Sequence, residues 1–246
     1  MAANGKGDKN HDLLTGRMGY GFDGTDSWPL KAGTTDASST LATLAVDVQP
    51  VKAIQTELLA ITSIAASTQQ ASTILSLTGI KKAAIFIDHG RGAVTAFGTN
   101  GTEYRVEVSE KASGNDTWRS LASVLAGSTV ALAVASSGAV GAGTTVVTIL
   151  SGTAVAAGDI VFWANTASAA SCEWAKVVAI SGTASFTIQD GITNTQAAAH
   201  TIYTQGEEFA LALDVAAATR MRVIVNNNAS GTTYAVYSRI ACITES

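Results

Sequence analysis

The amino-acid sequence predicts an all-β protein: an antiparallel β-sandwich of the jelly-roll or immunoglobulin-like type, with a small β-barrel-like domain inserted into it. The first observation is the segment Glu103–Ser109, where apolar and polar residues alternate strictly, as in a strand with one buried face. The second is the short apolar run Ala83–Asp88, which is typical of a buried strand. Glycine and asparagine residues that favour turns flank both segments.

Composition limits the classes of function. A chain of 246 residues can bury a sizeable core, and two domains are expected. Only 14% of the residues are charged, which suits sheets whose faces are covered by neighbouring chains. The net charge of -4 and the scattered basic residues do not predict a nucleic-acid partner. We expect no secretory signal, because the N-terminal residues contain no apolar run, and no membrane-spanning helix, because glycine, serine and threonine interrupt the uncharged stretch 120–158.

The N-terminal region, residues 1–50, is predicted to form an arm and a hairpin. Residues 1–12 are polar and without periodicity, so we expect a mobile arm unless a partner orders it. Met18–Phe22 and Ser27–Lys31 flank an Asp-Gly turn and are expected to pair as a hairpin too small to stand alone. Its apolar side chains are the interface residues that the sequence predicts: Tyr20, Phe22, Trp28 and Pro29.

Residues 51–71 are predicted to form one short helix and a linker. The prediction depends on large aliphatic residues that recur at spacings of three and four, the helical period. These residues are Val51, Ile54, Leu58, Ile61 and Ile64.

The sandwich itself is assigned to residues 72–125 and 207–246. The first part holds four predicted strands and the second part holds three, and neither group closes a core alone. The predicted strands are Thr73–Leu77, Lys82–Asp88, Glu103–Glu110 and Thr117–Leu125, followed by Glu207–Asp214, Thr219–Asn226 and Thr232–Thr244.

Residues 126–206 lie between these two groups and are predicted to form the inserted domain. Its strand pattern suits a small barrel or sandwich, in which Trp163 and Trp174 are the bulky residues available for a core. The predicted strands are Thr144–Leu150, Asp159–Ala164, Glu173–Ile180 and Ala184–Gln189.

The sequence Asp88-His89-Gly90-Arg91 is the cluster where catalysis or metal binding is most plausible. Neighbouring residues of an extended chain point to opposite faces, so Asp88 is badly placed to orient His89. We therefore interpret the cluster as a solvated turn, and Gly90 and Gly92 as turn glycines. We predict no catalytic residue, no cofactor and no metal site, since neither a known motif nor a ligand spacing occurs.

Cysteines, carboxylates and aromatic residues elsewhere are further candidates for a disulfide, a calcium site and a glycan-binding surface. Cys172 and Cys242 lie far apart, and the sequence favours two isolated thiols over a disulfide. Asp159, Asp190 and the pair Glu207-Glu208 lack the spacing of a calcium loop. A core or interface role is favoured over a glycan platform for five aromatic residues, Tyr104, Trp118, Tyr203, Tyr234 and Tyr237.

Two passages resemble virion proteins of tailed bacteriophages. MGYGFDGTDSWPLK resembles a hairpin found near the start of many phage head, neck and tail-fibre proteins. AAIFIDHGR, followed by GTEYRVEVSEKASGNDTWRSL, is similar to the β-sandwich body of small phage structural proteins. The resemblance implies a virion protein without an active site, assembled in the host cytoplasm.

The function expected on this basis is that of a capsid decoration, or cement, protein that binds the major capsid protein or other virion proteins through its N-terminal region. Because capsid lattices carry local threefold axes, a homotrimer is expected. A neck or tail-fibre adaptor is the alternative of the same class. A carbohydrate-binding module or adhesin is the alternative of another class, and it would require Trp163 and Trp174 to lie exposed side by side.

Overall fold

The computed structural model of the chain describes residues 54–92, 101–114, 117–127, 133–150, 155–182, 184–198, 200–228 and 235–245. These residues form antiparallel β-structure almost throughout, with one 3-10 turn at Ala169–Ser171. The predicted all-β, antiparallel sandwich class is thereby confirmed. The arm, the hairpin and the predicted interface residues Tyr20, Phe22, Trp28 and Pro29 lie outside the described residues.

Fourteen strands occur in the described part of the chain, and they form two sheets. The strands are β1 (Ile54–Ile64), β2 (Gln69–Ala71), β3 (Leu75–Ser76), β4 (Lys82–Arg91), β5 (Thr102–Ser109), β6 (Arg119–Ala126), β7 (Ala133–Ala135), β8 (Val146–Thr148), β9 (Ile160–Ala164), β10 (Glu173–Ser181), β11 (Ser185–Ile188), β12 (Thr201–Asp214), β13 (Arg220–Asn227) and β14 (Val236–Glu245).

The larger sheet has the order β1-β14-β4-β12-β9-β10-β11-β8, with β7 also paired to β12. The smaller sheet has the order β2-β13-β5-β6, with β3 also paired to β13. Strands β1, β14, β4 and the second half of β12 pack against the smaller sheet and form the sandwich. Its core takes alternate residues from both sheets, among them Ile85, Ile87, Val106, Met221, Val223 and Ile240.

The helix predicted within residues 51–71 is wrong. Ile54–Ile64 is instead the edge strand β1, paired antiparallel with β14. Two irregularities in this pairing, between Glu57 and Leu59 and between Leu59 and Thr62, break the two-residue alternation. Leu58 and Ile64 are buried in the sandwich core, whereas Ile61 packs against a different cluster, so the spacing of three comes from residues on two faces of a strand. Isoleucine and threonine, both β-branched, favour the strand.

The inserted segment has a hydrophobic core separate from that of the sandwich. Strands β8 to β11 coincide with the four strands predicted there, and β7 precedes them. Trp163 is fully buried in this core, as expected, against Phe186 at a ring-centroid distance of 6.5 Å. The other buried members include Val147, Val161, Val177, Ile188 and Ile202.

Strand β12 connects the two cores. Its first residues, Thr201–Tyr203, pair with β7 and β9 of the inserted segment, whereas Glu207–Asp214 pairs with β4 of the sandwich. The change of partner coincides with Gln205, whose φ of 63° lies in the left-handed region, and with Gly206. A third, smaller cluster of buried residues lies at this junction and includes Phe162, Cys172 and Tyr237.

Candidate functional site

The interpretation of Asp88-His89-Gly90-Arg91 as a solvated turn is wrong. All four residues belong to β4, where the side chains of His89 and Arg91 are 0% and 1% exposed and point into the sandwich. Asp88 points to the opposite face, where Arg239 binds it with a 2.6 Å hydrogen bond from Nε to Oδ2. The sequence suggested a turn because polar residues follow the apolar run. These polar residues instead continue the strand, and their partners are distant in the sequence.

His89 belongs to a buried chain of hydrogen bonds between the two sheets. Its Nδ1 lies 2.8 Å from the hydroxyl of Tyr104, and that hydroxyl lies 2.5 Å from Ser238 Oγ. All three residues are 0% exposed. Burial, and then the nearby charge of Arg91, lower the pKa of His89 from 6.5 to about 3, so the imidazole is neutral at pH 7.

Glu207 and Arg91 bring charge to the edge of this network. Glu207 Oε2 lies 4.0 Å from His89 Nε2 and accepts a hydrogen bond of 2.5 Å from the backbone N–H of Gly127. Arg91 donates from Nη1 to the Gly127 carbonyl at 3.2 Å. Burial raises the pKa of Glu207, while the Gly127 bond and Arg91 counteract this rise.

The serine, tyrosine, histidine and glutamate side chains have groups that could relay a proton, but three of the four are closed to solvent in this structure. A nucleophile or base must reach a substrate, and Ser238, Tyr104 and His89 have no exposed surface. The network therefore pairs the buried Tyr104 hydroxyl with His89 Nδ1 and Ser238 Oγ and joins the two sheets through polar contacts. Tyr104, which the sequence placed in the core, is its central member.

Gly90 is a packing glycine of a strand and not the turn glycine that the sequence suggested. A Cβ at this position would lie 2.6 Å from the ring of Phe162 in β9, so this ring occupies the space above Gly90. The contact joins the sandwich to the inserted segment. Only a residue without a side chain permits so close an approach.

Replacement of Gly90 by alanine is expected to destabilise the protein by about 1–3 kcal/mol, because the added methyl group displaces the buried Phe162 ring. Gly138→Ala is the matched control, since a Cβ there meets nothing within 4 Å, and its effect should stay within about 0.5 kcal/mol. Urea unfolding of both variants measures the difference. Equal stabilities would contradict the role assigned to Gly90.

The two tryptophans of the inserted segment lie on opposite faces of its sheet. Trp163 is paired with Glu173 and points into the core, whereas Trp174 is paired with Phe162 and points to the junction. The exposed pair that the carbohydrate-binding alternative requires is therefore not formed by Trp163 and Trp174. Trp174 is half-buried and packs on Phe162 at a centroid distance of 4.9 Å.

Trp174 lines a cleft of about 450 Å³ beside the junction. Strand β10 contributes Trp174 and Lys176, the loop 189–194 forms one wall, and Glu208 and Arg239 come from the outer face of the sandwich. This cleft could not be predicted from the sequence, because its lining residues are distributed over five separate segments.

The two outer faces of the sandwich differ in chemistry. On the smaller sheet, charged side chains pair with one another: Glu107 Oε1 and Oε2 each accept a hydrogen bond of 2.9 Å, from Arg105 and Arg222. The Arg222 guanidinium also lies 4.3 Å from the ring centroid of Trp118. The charges on this sheet are thus paired with one another, while its strand β6 also exposes Leu121 and Leu125.

On the larger sheet, the outer face carries an apolar patch. Phe86 is 39% exposed, and the register places Ala210 and Ala241 on either side of it. In the neighbouring row, Ala212 and Ile243 flank Ala84. Charged rows frame these six residues at both ends, with Glu208, Asp88 and Arg239 at one end and Asp214, Lys82 and Glu245 at the other.

The remaining predicted sites are unremarkable in the described structure. Cys172 and Cys242 are separate, buried, free thiols, as the sequence favoured. In the described ranges, no three histidine, cysteine or acidic side chains are grouped so as to hold a metal ion. The same ranges contain no helix with the length and apolar character needed to span a bilayer.

Comparison of the chain with models of protein families, with curated proteins and with solved structures finds no match.

Proposed function

We propose that this protein is a non-enzymatic subunit of a larger protein assembly, most specifically a decoration or cement protein of a tailed-phage capsid. The observation that carries the proposal is the apolar patch around Phe86, framed by charged rows on an otherwise regular sandwich. Exposed apolar patches rimmed by polar residues are typical of surfaces that bind other proteins.

The composition supports the same function. A chain with 14% charged residues exposes further large apolar side chains among its described residues, including Leu121, Leu125, Val146 and Leu150. On a shell, each copy would bury such residues against its neighbours, and many weak contacts would add through avidity. The N-terminal region, with Tyr20, Phe22, Trp28 and Pro29, is proposed as the element that binds the major capsid protein, and the assembly as a homotrimer.

A neck or tail-fibre adaptor remains the alternative within this class, because the same surface features would serve attachment to a single vertex. From another class, a carbohydrate-binding module keeps one supporting observation, the cleft beside Trp174. The paired Trp163 and Trp174 platform no longer supports it, since Trp163 is 0% exposed.

Co-sedimentation with empty heads of the phage whose genome carries the gene tests the proposal. The full chain is expected to pellet with the heads in a saturable manner, and a chain that lacks residues 1–50 is expected to stay in the supernatant. The truncated chain must retain its β-sheet circular dichroism, so that a loss of binding cannot come from unfolding. A folded full-length chain that stays in the supernatant would contradict the decoration role.

A further inference from the structure

The cleft beside Trp174 is rigidly constructed, as a binding site must be. Phe162 supports the Trp174 ring on one side. The Cδ1 atom of Trp174 lies 3.3 Å from the position that a Cβ on Gly206 would take, so the indole packs directly on the backbone of β12. The Arg239 guanidinium lies 5.9 Å from the ring centroid. An aromatic ring held in this way offers a surface without losing side-chain entropy when a ligand binds.

The loop 189–194, which forms one wall of the cleft, is held in place by hydrogen bonds to its backbone. The Glu173 carboxylate accepts hydrogen bonds from the backbone N–H groups of Thr193 and, at 3.1 Å, of Asn194. Gly191 packs so closely on the Gly143 backbone that a Cβ would lie 2.6 Å from the Gly143 oxygen. The wall is therefore formed before any ligand arrives.

The charged side chains that line the cleft are of both signs, with an excess of negative charge. Glu173, Asp190 and Glu208 are acidic, Lys176 and Arg239 are basic, and Glu173 is hydrogen-bonded to the loop backbone. Arg239 also binds Asp88, so its charge is largely compensated. Burial, followed by the nearby Asp88, raises the pKa of Glu208.

The aromatic ring and the charged side chains of the cleft together favour one class of ligand. An anion would be repelled by the excess of carboxylates, whereas a hydroxyl can donate to a carboxylate and accept from an ammonium or amide group. A sugar ring carries such hydroxyls around its edge and presents an apolar C–H face that packs on an aromatic ring. The cleft volume of about 450 Å³ lies within the usual range of small-molecule sites.

We propose that the cleft lined by Trp174, Lys176, Asp190, Glu208 and Arg239 binds a neutral saccharide, with the sugar ring on Trp174 and its hydroxyls on the charged side chains. The proposal does not rest on the assembly role. The cleft adjoins the apolar patch, because Glu208 and Arg239 belong both to the cleft lining and to the charged row at one end of the patch. A decoration protein that also bound glycans would give a virion affinity for a glycan-coated surface.

The test uses the fluorescently labelled full chain on an array that carries neutral mono- and oligosaccharides together with sialylated and sulfated glycans. We expect binding to a subset of the neutral glycans, confirmed for each by titration calorimetry. A chain that binds no glycan, or only anionic ones, overturns the proposal.

Variants locate the site for any neutral glycan that binds. Trp174→Ala and Asp190→Ala should each weaken binding at least about tenfold, equivalent to about 1.4 kcal/mol. Trp118→Ala is the matched control on the other sheet and should bind as the parent does. If Trp174→Ala fails to fold, Asp190→Ala and Lys176→Ala decide, because their side chains lie in the cleft lining without supporting a core. Undiminished binding by the folded cleft variants places the ligand elsewhere and overturns the proposal.

Discussion

Acidification is expected to destabilise this protein by about 1.4 kcal/mol for each pH unit below about 6.5, until the pH approaches about 3, because of His89 alone. In this window the unfolded chain binds a proton at His89 and the folded chain does not, so stability falls as the pH falls. Across the whole window the contribution of His89 is about 5 kcal/mol, a large part of the stability of a typical domain.

The charged groups that face His89 change the size of this pH dependence, but His89 remains its main cause. Arg91 keeps its charge throughout and opposes protonation of His89. Glu207 acts in the opposite direction, because its raised pKa means that the folded chain binds this proton more readily than the unfolded chain. Its contribution to stability therefore grows as the pH falls, and the net slope of the parent protein should be somewhat smaller than that from His89.

The variant His89→Asn isolates the contribution of His89 to the pH dependence of stability. The asparagine side chain can place a polar atom near the position of Nδ1, opposite the Tyr104 hydroxyl, but it binds no proton. Urea unfolding at a series of pH values should give a stability that depends less steeply on pH for this variant. His200→Asn, at a histidine outside the network, is the control for the substitution itself. An unchanged slope in His89→Asn would show that another group causes the acid sensitivity.

Removal of the Trp163 side chain is expected to cost about 3–5 kcal/mol, since alanine would leave a large cavity in the core of the inserted segment. The indole is 0% exposed, and its Nε1 has no hydrogen-bond partner among the described residues. Trp163→Phe should therefore cost much less than alanine, because it keeps most of the apolar volume and removes a buried, unsatisfied donor.

Trp118→Ala is the control for this prediction. Trp118 lies on the outer face of the smaller sheet against Arg222, where such a contact contributes about 0.5–1 kcal/mol. Thermal unfolding followed by circular dichroism would rank the three variants. If Trp163→Ala were no less stable than Trp118→Ala, the inserted segment would not depend on the core described for it.

Local patterns in the sequence predicted most of the strands but not the partners of the polar residues. The alternation in Glu103–Ser109 predicted β5, because a half-buried strand displays its two faces in its own sequence. Strand β1 was missed because its bulges shift residues from one face to the other, which no local rule anticipates.

The network and the cleft could not be predicted for a different reason. Tyr104 and Ser238 are 134 positions apart, and the contact that buries His89 forms only when the two sheets pack. The cleft likewise depends on the position of the inserted segment beside the outer face of the sandwich. His89 follows an apolar run, and this position could have indicated that it is buried. That inference needs the position of β4 within the sheet, which the sequence does not show.

The central claim, that this chain is a subunit that assembles with copies of itself on a larger structure, is tested most directly by its mass in solution. Light scattering should be measured for the full chain and for the chain that lacks residues 1–50. We expect a trimer or a larger oligomer for the full chain and a monomer for the truncated chain, with unchanged β-sheet circular dichroism. A monomer in both cases would contradict self-assembly and would favour a single-copy adaptor or a glycan-binding protein.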